Sequence, residues 1–153
     1  MPVEIKMTTP MSEIDAYLEK AEEVLLQAVE DALIEAVKEA IDEARANGAY
    51  QDQTGNLRSS VGGAVGRNGE VRWVSDFNLV LGGAEGAVKG RALAESIIAQ
   101  YPDADFCATL VAGEDYAIYV QALHGLDVLA SGEALLRELL ETTIPIKMEE
   151  VKV

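Results

Sequence analysis

The chain has 153 residues, 49% apolar and 25% charged, the profile of one globular domain large enough to bury a sizeable core. Its 27 acidic side chains against 12 basic ones leave a net charge of −15, which repels nucleic-acid phosphates and argues against a DNA or RNA binder. No apolar run approaches the roughly 18–20 residues of a membrane span. Met1–Lys6 shows no basic segment leading into an apolar one, so no secretory signal is expected, and the one cysteine, Cys107, excludes an intrachain disulfide and fits a reducing compartment. The acidic excess either keeps one face solvated or steers the chain toward basic partners.

Residues 1–11 contain Pro2 and Pro10 and no periodicity, and read as a flexible N-terminal arm, frayed or ordered only against a neighbouring subunit. From Ser12 to Ala46 the apolar residues recur at helical spacing: Ile14, Tyr17, Leu18, Ala21, Val24, Leu25, Ala28, Ala32, Leu33, Ala36, Val37, Ala40, Ile41 and Ala44. Glu19, Glu22, Glu23, Glu30, Asp31, Glu35, Glu39, Asp42 and Glu43 fall mainly on the other faces. Ser12 and Asp15 resemble a capping box, and Asn47-Gly48 suits a left-handed stop. The alanine-rich stripe predicts close packing on a sheet or another backbone rather than a two-stranded coiled coil, whose seam favours larger residues.

Residues 49–60 form a polar connection, with Thr54 placed to cap a short helical turn and Gly55 free to bend. Val61–Ser75 reads as a hairpin about Asn68-Gly69, with Val71 and Trp73 on one side and Arg72 and Val74 on the other. Gly82, Gly83 and Gly86 mark a turn before a helix over 87–100, and Phe106–Ala112 is a short apolar strand. Glu114–Leu123 is helical, Gly125–Val128 a tight return, and Ser131–Glu141 a last helix. The weak alternation of Ile144, Ile146, Met148, Val151 and Val153 predicts an extended C-terminal tail over 142–153, added to a neighbour's sheet. The expected class is α+β: a single domain over 12–141 in which a long N-terminal helix packs on a small, mainly antiparallel sheet with shorter helices.

The chemistry-bearing residues are sparse. His124 is the one histidine and Cys107 the one thiol, so a Cys–His dyad has a single possible composition, but Cys107 lies in an apolar strand pattern where free cysteine behaves as a core hydrophobe. No zinc-protease, paired-cysteine, phosphate-loop or nucleophile-elbow motif occurs. Gly82-Gly83-Ala84-Glu85-Gly86 lacks the Lys-Ser/Thr of a phosphate cradle and reads as a turn. Asp103 and Asp105 beside Pro102 are surface carboxylates that are solvated unless a cation recruits them. No catalytic residue, cofactor or metal is expected.

Two motifs carry a resemblance. Asp52-Gln53-Thr54-Gly55-Asn56-Leu57-Arg58-Ser59-Ser60-Val61 contains Thr-Gly-x-Leu-Arg-x-Ser followed by an apolar residue, between a long acidic helix and two strand-like runs. Tyr116-Ala117-x-Tyr119-Val120-Gln121-x-x-x-Gly125 follows some sixty residues later, then Asp127-Val128-Leu129. In that order and spacing, Ser12–Leu140 resembles the HK97 gp10-like neck and tail-completion family of tailed phages, which also includes lambda Z-like minor tail proteins. The resemblance implies a structural virion protein of the head–tail joint, not an enzyme. Copies would form a ring, often sixfold, joining head-closure or connector proteins to the tail tube, assembled in the bacterial cytoplasm and carried in the virion. It points to Thr54, Gly55, Leu57, Arg58, Tyr116 and Tyr119 as signature or interface residues. Gly55 is expected to permit a turn that a Cβ strains, and Leu57 to enter the core between the long helix and the sheet. Arg58 is expected to pair with a carboxylate of its own chain by default, or across a ring interface, and the two tyrosines to serve either core or interface. Gln51-Asp52-Gln53 departs from the Pro-Val-Asp-like lead of many members, and Gly82–Gln100 is long, which leaves the ring position open. A different class, a small acidic regulatory or adaptor protein that binds a basic partner, is the alternative.

Overall fold

The computed structural model describes residues 2–124 and 126–152, and the side chains of all these except Tyr119, Leu123 and His124. Six α-helices and three strands follow one another: α1 Met11–Asn47, α2 Asn56–Ser59, β1 Val61–Arg67, β2 Glu70–Val74, α3 Ala84–Ala99, β3 Cys107–Ala112, α4 Ala117–His124, α5 Ala130–Glu138 and α6 Ile144–Glu149. The strands form one antiparallel sheet in the order β2-β1-β3. This is the α+β arrangement expected from the sequence.

The sheet is covered on both faces, and the central strand explains how. In β1, Val61, Gly63 and Val65 alternate with Gly62, Ala64 and Gly66. Val65 packs with Leu33, Val37 and Ile41 of α1. Ala64 packs with Ala94 and Ile98 of α3 and Val111 of β3. Small residues at most β1 positions let both helices approach the sheet closely, as the alanine stripe of α1 anticipated. Leu110 and Leu136 join the α1 cluster, so α5 lies beside α1 over β3.

The hairpin turns where expected: Asn68 and Gly69 both take positive φ, 54° and 81°. Its second strand differs from simple alternation. Trp73 pairs with Val65 but Val71 pairs with Gly66, leaving Arg72 without an opposite residue. This β-bulge puts Val71 and Trp73 on opposite faces. Trp73 faces α1, where Lys38 lies 5.6 Å from its ring centre, while Val71 is 41% exposed. Arg72 reaches Glu30 at 3.0 Å, and Arg67 approaches the same carboxylate at 3.5 Å. Glu30, expected on a solvated face, is therefore buried beneath two arginines.

Both ends of α1 depart from expectation. The helix starts at Met11 after Pro10, and no side-chain cap bond forms, so the Ser12–Asp15 box is not used. At the other end Gly48 is extended, φ −64° and ψ 98°, rather than left-handed. A Cβ there would sit 2.8 Å from the Tyr50 ring and 2.9 Å from Arg58 Nη1, so the glycine makes room for these side chains.

The C-terminal segment is helical, not extended. A π turn over Leu139–Thr143 leads into α6, with Pro145 at its start. A proline cannot donate to the preceding turn and crowds it, and the widened turn relieves that crowding. Ile144, Met148 and Val151 fall at helical steps of four and three, while Ile144, Ile146 and Met148 also alternate, which is why the alternation misled. Ile144 packs on the α1 cluster, and Lys147 meets Glu35 at 2.6 Å.

Along α1 the burial is uneven. Its 37 residues span about 55 Å at 1.5 Å per residue. Every buried residue lies at or beyond Glu30. Before Glu30 no residue of α1 is buried: Val29 packs at the edge of the core and Glu23 meets Arg67 at 3.6 Å, but Tyr17 is 60%, Leu18 57% and Leu25 43% exposed. Among the described residues no helix is long and apolar enough to cross a membrane.

Candidate functional site

The first motif folds into a corner that ties the end of α1 to the start of α3. Gly55 has φ +76°, and a Cβ on it would collide with the Val80 carbonyl, so both its conformation and the lack of space require glycine. Thr54 Oγ1 accepts from the Asn56 amide at 3.3 Å, and Gly55 rather than Thr54 occupies the cap position of α2. Asn56 Oδ1 accepts from the Gly86 amide at 3.3 Å, and Ser59 Oγ accepts from Val80 at 2.8 Å. The glycine-rich turn and the motif thus hold each other.

Arg58 is the centre of this corner. Its Nε donates to Asp52 Oδ2 at 2.8 Å, its Nη1 to the Arg45 carbonyl at 2.7 Å and its Nη2 to the Gly48 carbonyl at 2.8 Å. The guanidinium carbon lies 4.6 Å from the Tyr50 ring centre. A helix leaves its last carbonyls without intrahelical partners, and Arg58 supplies two donors and a positive charge there. The intrachain pairing expected by default is present, with an additional cap on α1 that spacing did not show.

Leu57 is buried, but not between α1 and the sheet. It packs with Tyr50, Ala117 and Val128, joined by Ala112, Val120, Leu126 and Leu129. The motif turns its leucine away from the sheet because α2 follows the corner set by Gly55, and α4 closes over it. The two sequence motifs therefore meet through Leu57, Ala117, Val120 and Val128. Tyr116 is 43% exposed and borders the same region. The side chains of Tyr119 and His124, and Gly125, lie outside the described residues, so the one histidine weighed as a partner of Cys107 does too. Burial raises the Cys107 thiol above its usual range, which keeps it protonated.

Between the motifs opens a cleft of about 690 Å³ bordered by Tyr50, Asp52, Thr54, Leu57, Tyr116 and Val120 of these segments, with Glu85, Lys89, Glu114 and Asp115. Gly90 of α3 and Gly113 after β3 touch backbone to backbone, which brings their neighbours Lys89 and Glu114 together. Lys89 Nζ lies 3.0 Å from Glu114 Oε2 and 3.2 Å from Glu85. The hydrogen bond with Glu114, then that with Glu85, raises the Lys89 ammonium above its usual value. Burial raises the Tyr50 hydroxyl, with Arg58 opposing. Burial also raises Tyr116, helped by the Glu114 charge and offset in part by Thr54. Sequence reading missed Tyr50, Lys89 and Glu114 as members of this site. Gly90 and Gly113 were its only trace in the sequence, as places where two backbones meet.

Among the described residues no group of three or more His, Cys, Asp or Glu is placed to hold a metal ion. No family model, curated protein or solved structure matches the chain.

Proposed function

We propose that the chain is a structural component of a tailed-phage head–tail joint, acting in neck or tail completion as one subunit of a ring, often sixfold in the family it resembles, between head-closure and tail-tube proteins. The observation that carries this reading is the unburied first half of α1. Ile14, Leu18, Ala21, Leu25 and Ala28 recur at alternating steps of four and three and leave an apolar seam on a stretch of helix in which no residue is buried. A lone helix of this length is marginal in water, and packing normally stabilises it. In a ring, a neighbouring copy provides that packing. The two motifs that carry the family resemblance are packed against each other, which supports their being parts of one structural unit.

Asp15, Glu19 and Glu22 flank one side of the seam without an intervening base on that flank. This favours a basic surface on whatever meets that side, and it is also the feature an acidic adaptor protein would use. Negative-stain microscopy and sedimentation of the full chain separate the two. Closed rings support the virion reading. A monomer that forms a one-to-one complex with a basic protein supports the adaptor.

A further inference from the structure

The cleft between the two motifs carries an inference of its own. Asp52, Glu85, Glu114 and Asp115 line it against a single base, Lys89. Asp52 spends one oxygen on Arg58 and Glu114 spends one on Lys89. The other oxygen of each, Asp52 Oδ1 and Glu114 Oε1, is buried without a hydrogen-bond partner among the described residues, as is the Tyr50 hydroxyl. These are three of the five such side-chain atoms among the described residues, and all three belong to residues of this one cleft. The Glu114 side chain is only 4% exposed. A buried acceptor left unpaired is costly, and folded proteins rarely gather several in one place without something to satisfy them.

We propose that this cleft binds a cationic hydrogen-bond donor, an ammonium or guanidinium group. Two acceptor oxygens and a hydroxyl call for a ligand rich in N–H donors. The surplus of carboxylates selects positive charge and rejects phosphates and carboxylic acids. Tyr116, 43% exposed at the rim, offers aromatic surface beside it, which suits a cation further. The absence of a three-ligand cluster among the described residues points to an organic cation rather than a metal ion. The three unpaired atoms lie beneath the surface of the cleft, so a bound donor must displace part of its wall, and the binding shifts must include Tyr50, Asp52 and Glu114 themselves. The group could arrive on a free amine or on an arginine or lysine side chain of a partner protein, and the cleft's chemistry is the same whether or not the chain is a virion component.

The test is an amide NMR titration of the full chain at constant ionic strength with three probes: agmatine, the tripeptide acetyl-Gly-Arg-Gly-amide, and the same tripeptide with neutral citrulline in place of arginine. Saturable shifts confined to residues 50–57, 85–90 and 114–116 are expected with the first two and not with the third. Tighter binding of the arginine tripeptide identifies a protein side chain as the source, and tighter binding of agmatine a free amine. Glu114→Gln should weaken binding about tenfold, the scale of one charge-assisted hydrogen bond. Asp115→Asn and Glu85→Gln, at exposed rim positions, should each weaken it roughly two- to threefold and keep the test valid if Glu114→Gln does not fold. Absent or unsaturable shifts, equal shifts with the citrulline peptide, or unchanged affinity in all folded variants overturns the proposal and leaves ordered water as what meets these atoms.

Discussion

Replacing Arg58 by alanine should destabilise the isolated chain by about 3–4 kcal/mol. The figure follows from what the guanidinium touches. It makes three hydrogen bonds of 2.7–2.8 Å, to Asp52, Arg45 and Gly48, with its side chain 18% exposed. A hydrogen bond involving a charged group contributes about 1.5–3 kcal/mol where buried. The α1 carbonyls lie at a half-exposed helix end and regain some water, so about 1 kcal/mol each is the better figure for them. Loss of the Asp52 partner, whose second oxygen already lacks one, and of the Tyr50 stacking adds about 1–2 kcal/mol. Urea unfolding of the isolated chain measures the sum, and the melting temperature should fall by roughly 10 °C for a chain of this size. Arg58→Lys should recover only part, because an ammonium cannot serve three divergent acceptors. Arg91→Ala is the control: its pair with Glu95 is 61% and 46% exposed and should matter by no more than about 0.5 kcal/mol. If Arg58→Ala costs less than about 1 kcal/mol in the isolated chain, the structural role assigned to Arg58 is wrong. A large assembly defect beside that small cost would place the arginine across a subunit interface.

Leu57→Ala should cost about 2–5 kcal/mol by emptying the cluster between α2 and α4, measured by the same unfolding curves, and a loss under 1 kcal/mol would show that cluster to be loosely packed. Cys107 should react with a thiol reagent far more slowly at pH 8 in the native chain than in urea, because its folded pKa is raised by burial; equal rates would contradict its packing in β3. Glu35 has a folded pKa lowered chiefly by its hydrogen bond to Lys147, so this pair stabilises above the ordinary carboxylate value of 4.5 and the contribution is lost as pH falls through the folded pKa. Carboxyl NMR titration should find the Glu35 midpoint rising toward 4.5 in Lys147→Ala, and an unchanged midpoint would show that α6 does not lie against α1.

What could be read from the sequence was what repeats locally. The α1 stripe runs through fourteen apolar positions at helical spacing, and the Asn68-Gly69 turn announces its hairpin by residue type alone. The Arg72 bulge was hidden because one inserted residue does not disturb the appearance of alternation between Val71 and Trp73, yet it moves them to opposite faces. The tail was misread because Ile144 and Met148 fit both the alternation with Ile146 and the helical step that continues to Val151. Arg58 was recognisable as a residue with polar partners, but not as the cap of a helix ending ten or more positions earlier, since that needs the turn at Gly48. The cleft was least visible: Lys89 and Glu114 lie 25 residues apart and meet only because two glycine backbones touch. The first half of α1 was legible as a helix while its lack of burial was not, because the pattern of apolar positions is the same whether the covering surface comes from the same chain or another.

Sedimentation velocity of the full chain, at about 0.15 M and again at higher salt to screen the repulsion between copies of net charge −15, tests the assembly reading most directly. It is run beside a variant with Tyr17, Leu18 and Leu25 changed to serine. The account predicts a discrete closed oligomer for the natural chain, favoured by salt, and a monomer of unchanged melting temperature for the variant. A natural chain that stays monomeric at both salt concentrations, or a variant that assembles as well as the natural chain, would contradict it.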